Sequence, residues 1–108
     1  MTTEAVVPVS KDAFFQLPRG AQLVVAYALM NDLFDLELMR SDADMAALVN
    51  VGWLTIKPSY GHGIVNGEFS EKVWQAFEVF EDSIMGAVSD QEMERFILRK
   101  GKAYPWLW

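Results

Sequence analysis

Residues 42–56 constrain the fold more than any other stretch of the chain, because a helical pattern changes to a strand pattern at a single glycine. Met45, Leu48 and Val49 lie at positions i, i+3 and i+4, which predicts the buried face of a short helix over residues 42–50. Ser41 is the expected N-cap of this helix, and Gly52 is expected to end it. Residues 53–57 then alternate between apolar and polar, as a half-buried strand does.

The following residues predict the second strand of a β-hairpin and then a long helix. Residues 58–63 contain Pro58, Gly61 and Gly63 and are expected to turn the chain. Residues 64–69 return it as a strand. A helix is expected to start at Ser70 and to end at Gly86, with an apolar stripe that includes Trp74 and Phe77.

Further helices are predicted on both sides of this unit. Ser10 can cap a short helix to Leu17, and residues 18–33 read as a central helix that is apolar almost all round, although a strand is the alternative for its β-branched run. The inner stripe of that helix is expected to include Met30 and Phe34. Residues 36–39 can form one helical turn, and a final helix is expected from the capping box at residues 89–92 to Gly101.

These patterns predict a mainly α protein with a small antiparallel β-hairpin. The chain has 108 residues, of which 52% are hydrophobic, so we expect a flexible tail at 1–9 and one domain over 10–108. The chain has no cysteine, which excludes disulfides and fits a reducing compartment. The N-terminus does not resemble a secretory signal, and the longest apolar run, 23–30, is too short to cross a bilayer. We therefore expect a cytoplasmic protein that does not insert into a membrane.

The charge distribution disfavours nucleic acid as a partner. Fifteen acidic and nine basic residues give a formal charge of −6, whereas phosphate binding requires a basic surface. Acidic residues dominate 32–44 and 68–94, and the bases Arg95, Arg99, Lys100 and Lys102 are concentrated near the C-terminus. Bases at the end of a helix also have a purely structural interpretation, because they complement the helix dipole.

The residue types needed for common enzyme chemistry are absent or poorly placed. His62 is the only histidine and lies between two glycines, so metal sites with several His or Cys ligands and Cys–His catalysis are excluded. No Gly-x-Ser-x-Gly elbow or phosphate-binding loop is present. We expect no catalytic residue, no metal site and no cofactor, although an unrecognised carboxylate site remains an alternative.

Residues 18–85 resemble the winged helix-turn-helix superfamily. The passage from Ala47 to Ile56 is similar to the connection between a recognition helix and a wing, and the passage from Gly67 to Phe77 is similar to a wing strand entering the next helix. The resemblance implies transcription control, with the helix at 42–50 in the major groove and the hairpin tip near a phosphate or the minor groove.

The residues that would touch DNA depart from that pattern, because Asp42 and Asp44 at the start of the helix are expected to repel phosphate. For this alternative, in which the protein is a DNA-binding regulator, the candidate nucleic-acid contacts are Arg40, Asn50, Lys57, His62, Arg99, Lys100 and Lys102.

The sequence instead favours an acidic protein-interaction module that acts as an adaptor or inhibitor. Its partner would be a protein, for example a basic one that normally holds nucleic acid, by analogy with small acidic phage proteins that block host defences. The aromatic C-terminus, residues 103–108, either closes the core or anchors a partner or a second copy in a homodimer. The candidate partner-binding residues are Asp42, Asp44, Glu78, Glu81, Asp82, Trp106 and Trp108.

Overall fold

The computed structural model describes residues 7–61 and 63–105. Within these ranges the chain is mainly helical and contains a small antiparallel sheet, which confirms the predicted fold class. The elements, in chain order, are α1 (Lys11–Gln16), α2 (Arg19–Met30), β1 (Asp35–Met39), α3 (Ala43–Asn50), β2 (Leu54–Gly61), β3 (Ile64–Phe69), α4 (Glu71–Val79), α5 (Glu81–Gly86) and α6 (Asp90–Ala103).

Side-chain caps fix the starts of four helices. Ser10, Ser70 and Ser89 accept hydrogen bonds from the backbone N–H groups three residues later, at 3.1, 3.2 and 3.1 Å. These contacts confirm the predicted caps at Ser10 and Ser89 and the predicted helix start at Ser70. The predicted cap at Ser41 is wrong, because Asp42 is the N-cap of α3 and its Oδ1 accepts from the Met45 N–H at 2.9 Å.

The helix ends are only partly as expected. Gly52 follows α3 with φ = +80°, a conformation that favours glycine, so its predicted role is confirmed. The helix predicted over 70–86 is interrupted at Phe80, where φ is −125° and the chain divides into α4 and α5. Gly101 does not end α6, which continues to Ala103.

Strand β1 replaces the helical turn predicted for residues 36–39. It pairs antiparallel with β3, from Asp35 opposite Glu68 to Met39 opposite Ile64, and the strand order is β1-β3-β2. Leu36 and Leu38 face the core. The prediction was wrong because apolar residues two apart fit a strand, and pairing with β3 provides the hydrogen bonds that a lone helical turn lacks.

Helix α2 is the central buried element, as its sequence predicts. Eight of its twelve residues are buried, and the alternative of a strand is excluded. Two members of the expected inner stripe are placed differently: Met30 and Phe34 are each 53% exposed. Helix α2 ends at Met30, so Phe34 lies in the connection to β1 and not on the helix.

The core is rich in aromatic side chains where α4 packs against the sheet. The ring of Phe77, which is fully buried, lies 5.7 Å from Trp53 and 5.6 Å from Phe69 in edge-to-face arrangements. Val7, within the predicted tail, is attached to this region: its N–H donates to the Val51 carbonyl at 3.1 Å, and its carbonyl accepts from Trp53 Nε1 at 2.6 Å.

Candidate functional site

An open groove of about 640 Å³ lies between the sheet and one side of α4. This volume is large enough for a long side chain of a partner. The groove is lined by Phe34, Glu68, Phe69, Ser70, Glu71, Trp74, Gln75 and Glu78. We call it the acidic–aromatic groove.

Its aromatic part is formed by Phe34 and Trp74, whose ring centroids are 4.7 Å apart at an interplanar angle of 51°. The Phe69 N–H donates to the Phe34 carbonyl at 2.8 Å, which holds Phe34 beside the end of β3. Trp74 is 5% exposed, whereas Phe34 is 53% exposed. The buried indole therefore supports a phenyl ring that remains available to solvent.

The carboxylates of the groove come from the end of β3 and from α4. Glu71, Trp74, Gln75 and Glu78 follow the i, i+3, i+4, i+7 pattern, which places them along one side of α4. Glu71 accepts a hydrogen bond from Gln75 Nε2 at 3.3 Å. In the described part of the chain, neither Glu71 nor Glu78 forms an ion pair.

Glu68 is neutralised in part by a neighbour on the sheet. Its Oε2 lies 2.8 Å from Lys57 Nζ, and this hydrogen bond raises the pKa of Lys57. Asp35 lies directly opposite Glu68 in the β1–β3 register, so the carboxylate of Glu68 still has an acidic neighbour. The groove therefore has an excess of negative charge.

The indole N–H of Trp74 has no hydrogen-bond acceptor among the residues that the structure describes. In contrast, the other described tryptophan, Trp53, donates to the Val7 carbonyl. No described side-chain N or O atom is both buried and without a hydrogen-bond partner, so solvent reaches this N–H group although most of the Trp74 side chain is buried. Trp74, which lines the groove, therefore has a solvent-accessible donor in addition to the carboxylates and the aromatic ring.

The structure places Asp42 and Asp44 in a different setting from the exposed acidic surface that the sequence suggested. Asp42 is 3% exposed, and its Oδ2 accepts from Lys100 Nζ and from the Tyr104 hydroxyl, each at 2.6 Å. Asp44 Oδ2 lies 2.8 Å from the same Lys100 Nζ. Internal bonds thus use these carboxylates, and this corrects the view of Asp42 as a surface charge.

The protonation of this cluster is set by burial and hydrogen bonding together. Burial acts to raise the pKa of Asp42. The hydrogen bonds from Lys100, Tyr104 and the Met45 N–H outweigh burial and hold that pKa below its usual value. Burial, with the hydrogen bond to Asp42, raises the pKa of Tyr104.

The other predicted partner-binding residues are separated in the structure. Glu78 lines the groove, whereas Glu81 and Asp82 lie in the first turn of α5, where Glu81 is half-buried and Asp82 is exposed. Trp106 and Trp108 lie outside the described residues. Whether the C-terminal aromatics close the core or bind a partner therefore stays a hypothesis.

The residues predicted for the nucleic-acid alternative are placed on several elements. Arg40, Asn50, Arg99 and Lys102 are exposed, whereas Lys57 is engaged with Glu68. Lys100 is 6% exposed and paired with two aspartates, so its predicted role as a phosphate contact is wrong on geometric grounds. His62 lies outside the described residues.

The described residues contain no group of three or more His, Asp or Glu side chains that could hold a metal ion. In that same part of the chain, no helix combines the length and apolarity needed to span a bilayer.

Sequence reasoning missed most of the groove. Phe34 and Trp74 were assigned to apolar stripes, and Glu71 was not among the candidate partner-binding residues. The alternation of Asp35, Leu36, Glu37 and Leu38 was the available signal, because a strand there brings Phe34 to the edge of the sheet. The pairing of this strand with β3 depends on long-range contacts that local patterns do not encode.

Comparisons of the chain with protein-family models, with curated proteins and with solved structures find no match.

Proposed function

We infer that the chain is a non-enzymatic protein-interaction module that binds a basic protein and acts as an adaptor or inhibitor. The observation that carries this proposal is the acidic–aromatic groove. It combines an exposed ring at Phe34 with the carboxylates of Glu71 and Glu78, neither of which forms an ion pair with a described residue. Aromatic anchors of this kind contribute much of the binding energy in protein interfaces, and carboxylates select a basic partner.

The arrangement around α3 supports a protein partner over DNA. In a helix-turn-helix motif the recognition helix follows another helix through a short turn. Here α3 follows strand β1 through residues 40–42, and its first turn packs against Lys100 and Tyr104. That turn is therefore partly covered by α6 and is less available to enter a major groove.

A winged-helix regulator remains the alternative function. Lys100 compensates part of the negative charge at Asp42 and Asp44, so the expected repulsion of phosphate at this position is smaller than the sequence alone suggests. Exposed Arg40, Arg99 and Lys102 would then supply phosphate contacts. This alternative requires binding that weakens steeply with added salt.

The partner that we propose is a cytoplasmic basic protein, for example one whose basic surface normally holds nucleic acid. An inhibitor of this kind would compete with nucleic acid for that surface. Phage-encoded inhibitors of host defence offer an analogy for such a role.

The test is affinity capture from lysate of the native host, followed by mass spectrometry, with matched variants of the chain. The groove variant combines Phe34→Ala with Glu78→Gln, and the control combines Leu98→Ala with Glu94→Gln on α6. Both pairs remove one exposed apolar side chain and one negative charge.

The proposal expects a basic protein that the wild type and the control capture and the groove variant does not. A parallel assay measures binding to duplex DNA across a range of salt concentrations. Salt-sensitive DNA binding by all three forms, without a captured protein, would overturn the proposal and favour the regulator.

A further inference from the structure

We propose that the acidic–aromatic groove binds an arginine side chain within an extended segment of the partner, with Trp74 Nε1 donating to a backbone carbonyl next to that arginine. This inference rests on the proposed function and specifies the chemistry of the ligand. Three separate features of the groove support it.

The first feature is the exposed ring of Phe34. Phe34 is about half exposed, and its ring centroid lies 4.7 Å from that of Trp74, so the buried indole supports one side of the ring. A planar guanidinium stacks on such a ring, with its carbon within about 6 Å of the centroid. The chain itself contains a similar contact, because the Arg99 guanidinium lies 5.6 Å from the Phe96 centroid.

The second feature is the position of the carboxylates around the rings. Glu71 and Glu78 lie about one helical turn before and after Trp74. A cation stacked on Phe34 would therefore have a carboxylate towards each end of α4, and neither carboxylate has a competing internal cation in the described part of the chain. Guanidinium forms two parallel hydrogen bonds with a carboxylate, which favours arginine over lysine.

The third feature is the indole N–H of Trp74, which has no acceptor among the described residues and is reached by solvent, so a ligand can accept from it. A metal ion, a polyamine or a free guanidinium provides no acceptor for this N–H group. A peptide does, because each residue carries a backbone carbonyl. Nucleic acid also carries acceptors, but its phosphates would face Glu68, Glu71 and Glu78. Of these ligands, only a basic peptide satisfies the donor, the ring and the carboxylates together.

The test is an NMR titration of the full chain with the blocked peptide acetyl-Gly-Arg-Gly-amide. The readout is the indole N–H signal of Trp74, which is assigned by its loss in Trp74→Phe. The matched ligands replace Arg by Lys or by Glu, and agmatine supplies the guanidinium without a carbonyl.

The expected result is a saturable downfield shift of the Trp74 indole signal with the arginine peptide, and a smaller one with the lysine peptide. Agmatine is expected to perturb the signals of Phe34 and to cause no downfield shift of the Trp74 indole signal. An indole signal that does not respond to the arginine peptide, or that responds equally to the glutamate peptide, overturns the proposal. Equal binding of the lysine peptide overturns the assignment to arginine.

Two pairs of variants locate the contacts. Glu78→Gln and Phe34→Ala are each expected to raise the Kd of the arginine peptide about three- to tenfold, as loss of one exposed ion pair or cation–π contact does. The controls Glu94→Gln and Leu98→Ala, on α6, are expected to leave the Kd unchanged. Equal effects of groove and control variants would show that only overall charge matters and would contradict the site.

Failure of the arginine proposal can be distinguished from failure of the proposed function. If host-protein capture depends on the groove but the peptide does not bind, the arginine assignment fails and the interaction module stands. If the peptide binds but no protein is captured, the groove chemistry stands and the proposed function fails.

Discussion

Lys100 and Asp42 form a buried ion pair that joins the end of α6 to the start of α3. Lys100 Nζ lies 2.6 Å from Asp42 Oδ2, and the two side chains are 8% and 2% exposed. Asp42 also caps α3 through the Met45 N–H, so one carboxylate fixes a helix start and receives a long-range cation. The packing of α6 on α3 therefore depends on a charge that must be compensated.

Removing the Lys100 ammonium group should destabilise the fold, because the Asp42 carboxylate would remain buried without its cation. We expect Lys100→Met to lower the free energy of unfolding by about 3–5 kcal/mol, the range for breaking a buried pair from one side. Denaturant titration measures this change. The control is Lys102→Met, the same substitution at an exposed position of α6, with an expected effect within about 0.5 kcal/mol. Similar effects at both positions would contradict the pairing.

The lowered pKa of Asp42 predicts acid sensitivity. A carboxylate with a lower pKa in the folded state contributes stability above its unfolded pKa, about 3.9, and loses it as the pH falls through the folded value. Melting temperature should therefore fall as the pH drops below about 4. Asp42→Asn should be less stable at neutral pH and should show a shallower fall. If the melting temperature of Asp42→Asn fell with pH as steeply as that of the wild type, Asp42 would be ruled out as a source of the acid sensitivity.

The raised pKa of Tyr104 predicts the opposite sensitivity at high pH. A group with a higher pKa in the folded state contributes stability below its unfolded pKa, about 10 for tyrosine, and loses it as the pH rises above that value. We expect the wild type to lose stability above about pH 10 and Tyr104→Phe to lose less over the same interval. Urea midpoints measured across this range test the difference. If the urea midpoints of the wild type and Tyr104→Phe fell in parallel above about pH 10, Tyr104 would not be a source of the sensitivity to high pH.

Two glycines in helices should respond in opposite ways to alanine. A Cβ at Gly20, in the first turn of α2, would lie 2.1 Å from Asp44 Oδ1, so Gly20→Ala must displace the carboxylate that Lys100 holds. We expect destabilisation of about 1–3 kcal/mol. A Cβ at Gly86 meets no atom within 4 Å, and Gly86→Ala should stabilise by about 0.4–1 kcal/mol. Calorimetry on both variants checks the signs, and a stabilising Gly20→Ala would contradict the packing.

Phe34 should matter little for stability, as expected for a side chain available to a partner. We expect Phe34→Ala to lower the free energy of unfolding by less than about 1.5 kcal/mol, because about half of the residue's surface is already exposed. Phe77→Ala, at a fully buried position of α4, should cost about 3–5 kcal/mol. Thermal melts compare the two. A large loss for Phe34→Ala would mean that the ring belongs to the core.

Local chemistry explains why some elements could be predicted and others could not. The serine caps and the stop at Gly52 depend on residues within one turn, so they could be predicted from sequence. The strand at 35–39 depends on its pairing with β3, and Phe80, where α4 ends, packs its ring against Phe14 of α1. Local patterns gave the wrong answer at both places. The Asp42–Lys100 pair spans 58 residues and carries no local signal.

The residues of the candidate site could likewise be predicted only in part from local sequence patterns. Glu78 was predicted as a partner contact from charge alone, and it does line the groove. Phe34 and Trp74 are 40 positions apart in the sequence numbering and meet only because β1 pairs with β3 beside α4. The sequence shows both aromatic residues, but it does not show that Phe34 is exposed, because this depends on where α2 ends.

The attachment of Val7 to the α3–β2 junction has a practical consequence for protein engineering. Its carbonyl is the acceptor for the indole of Trp53, a side chain that is 1% exposed. A shortened variant that starts after Val7 would leave that donor without its acceptor, at a cost of about 1–3 kcal/mol. Truncated variants that carry an N-terminal purification tag or fluorescent label should therefore still include Val7.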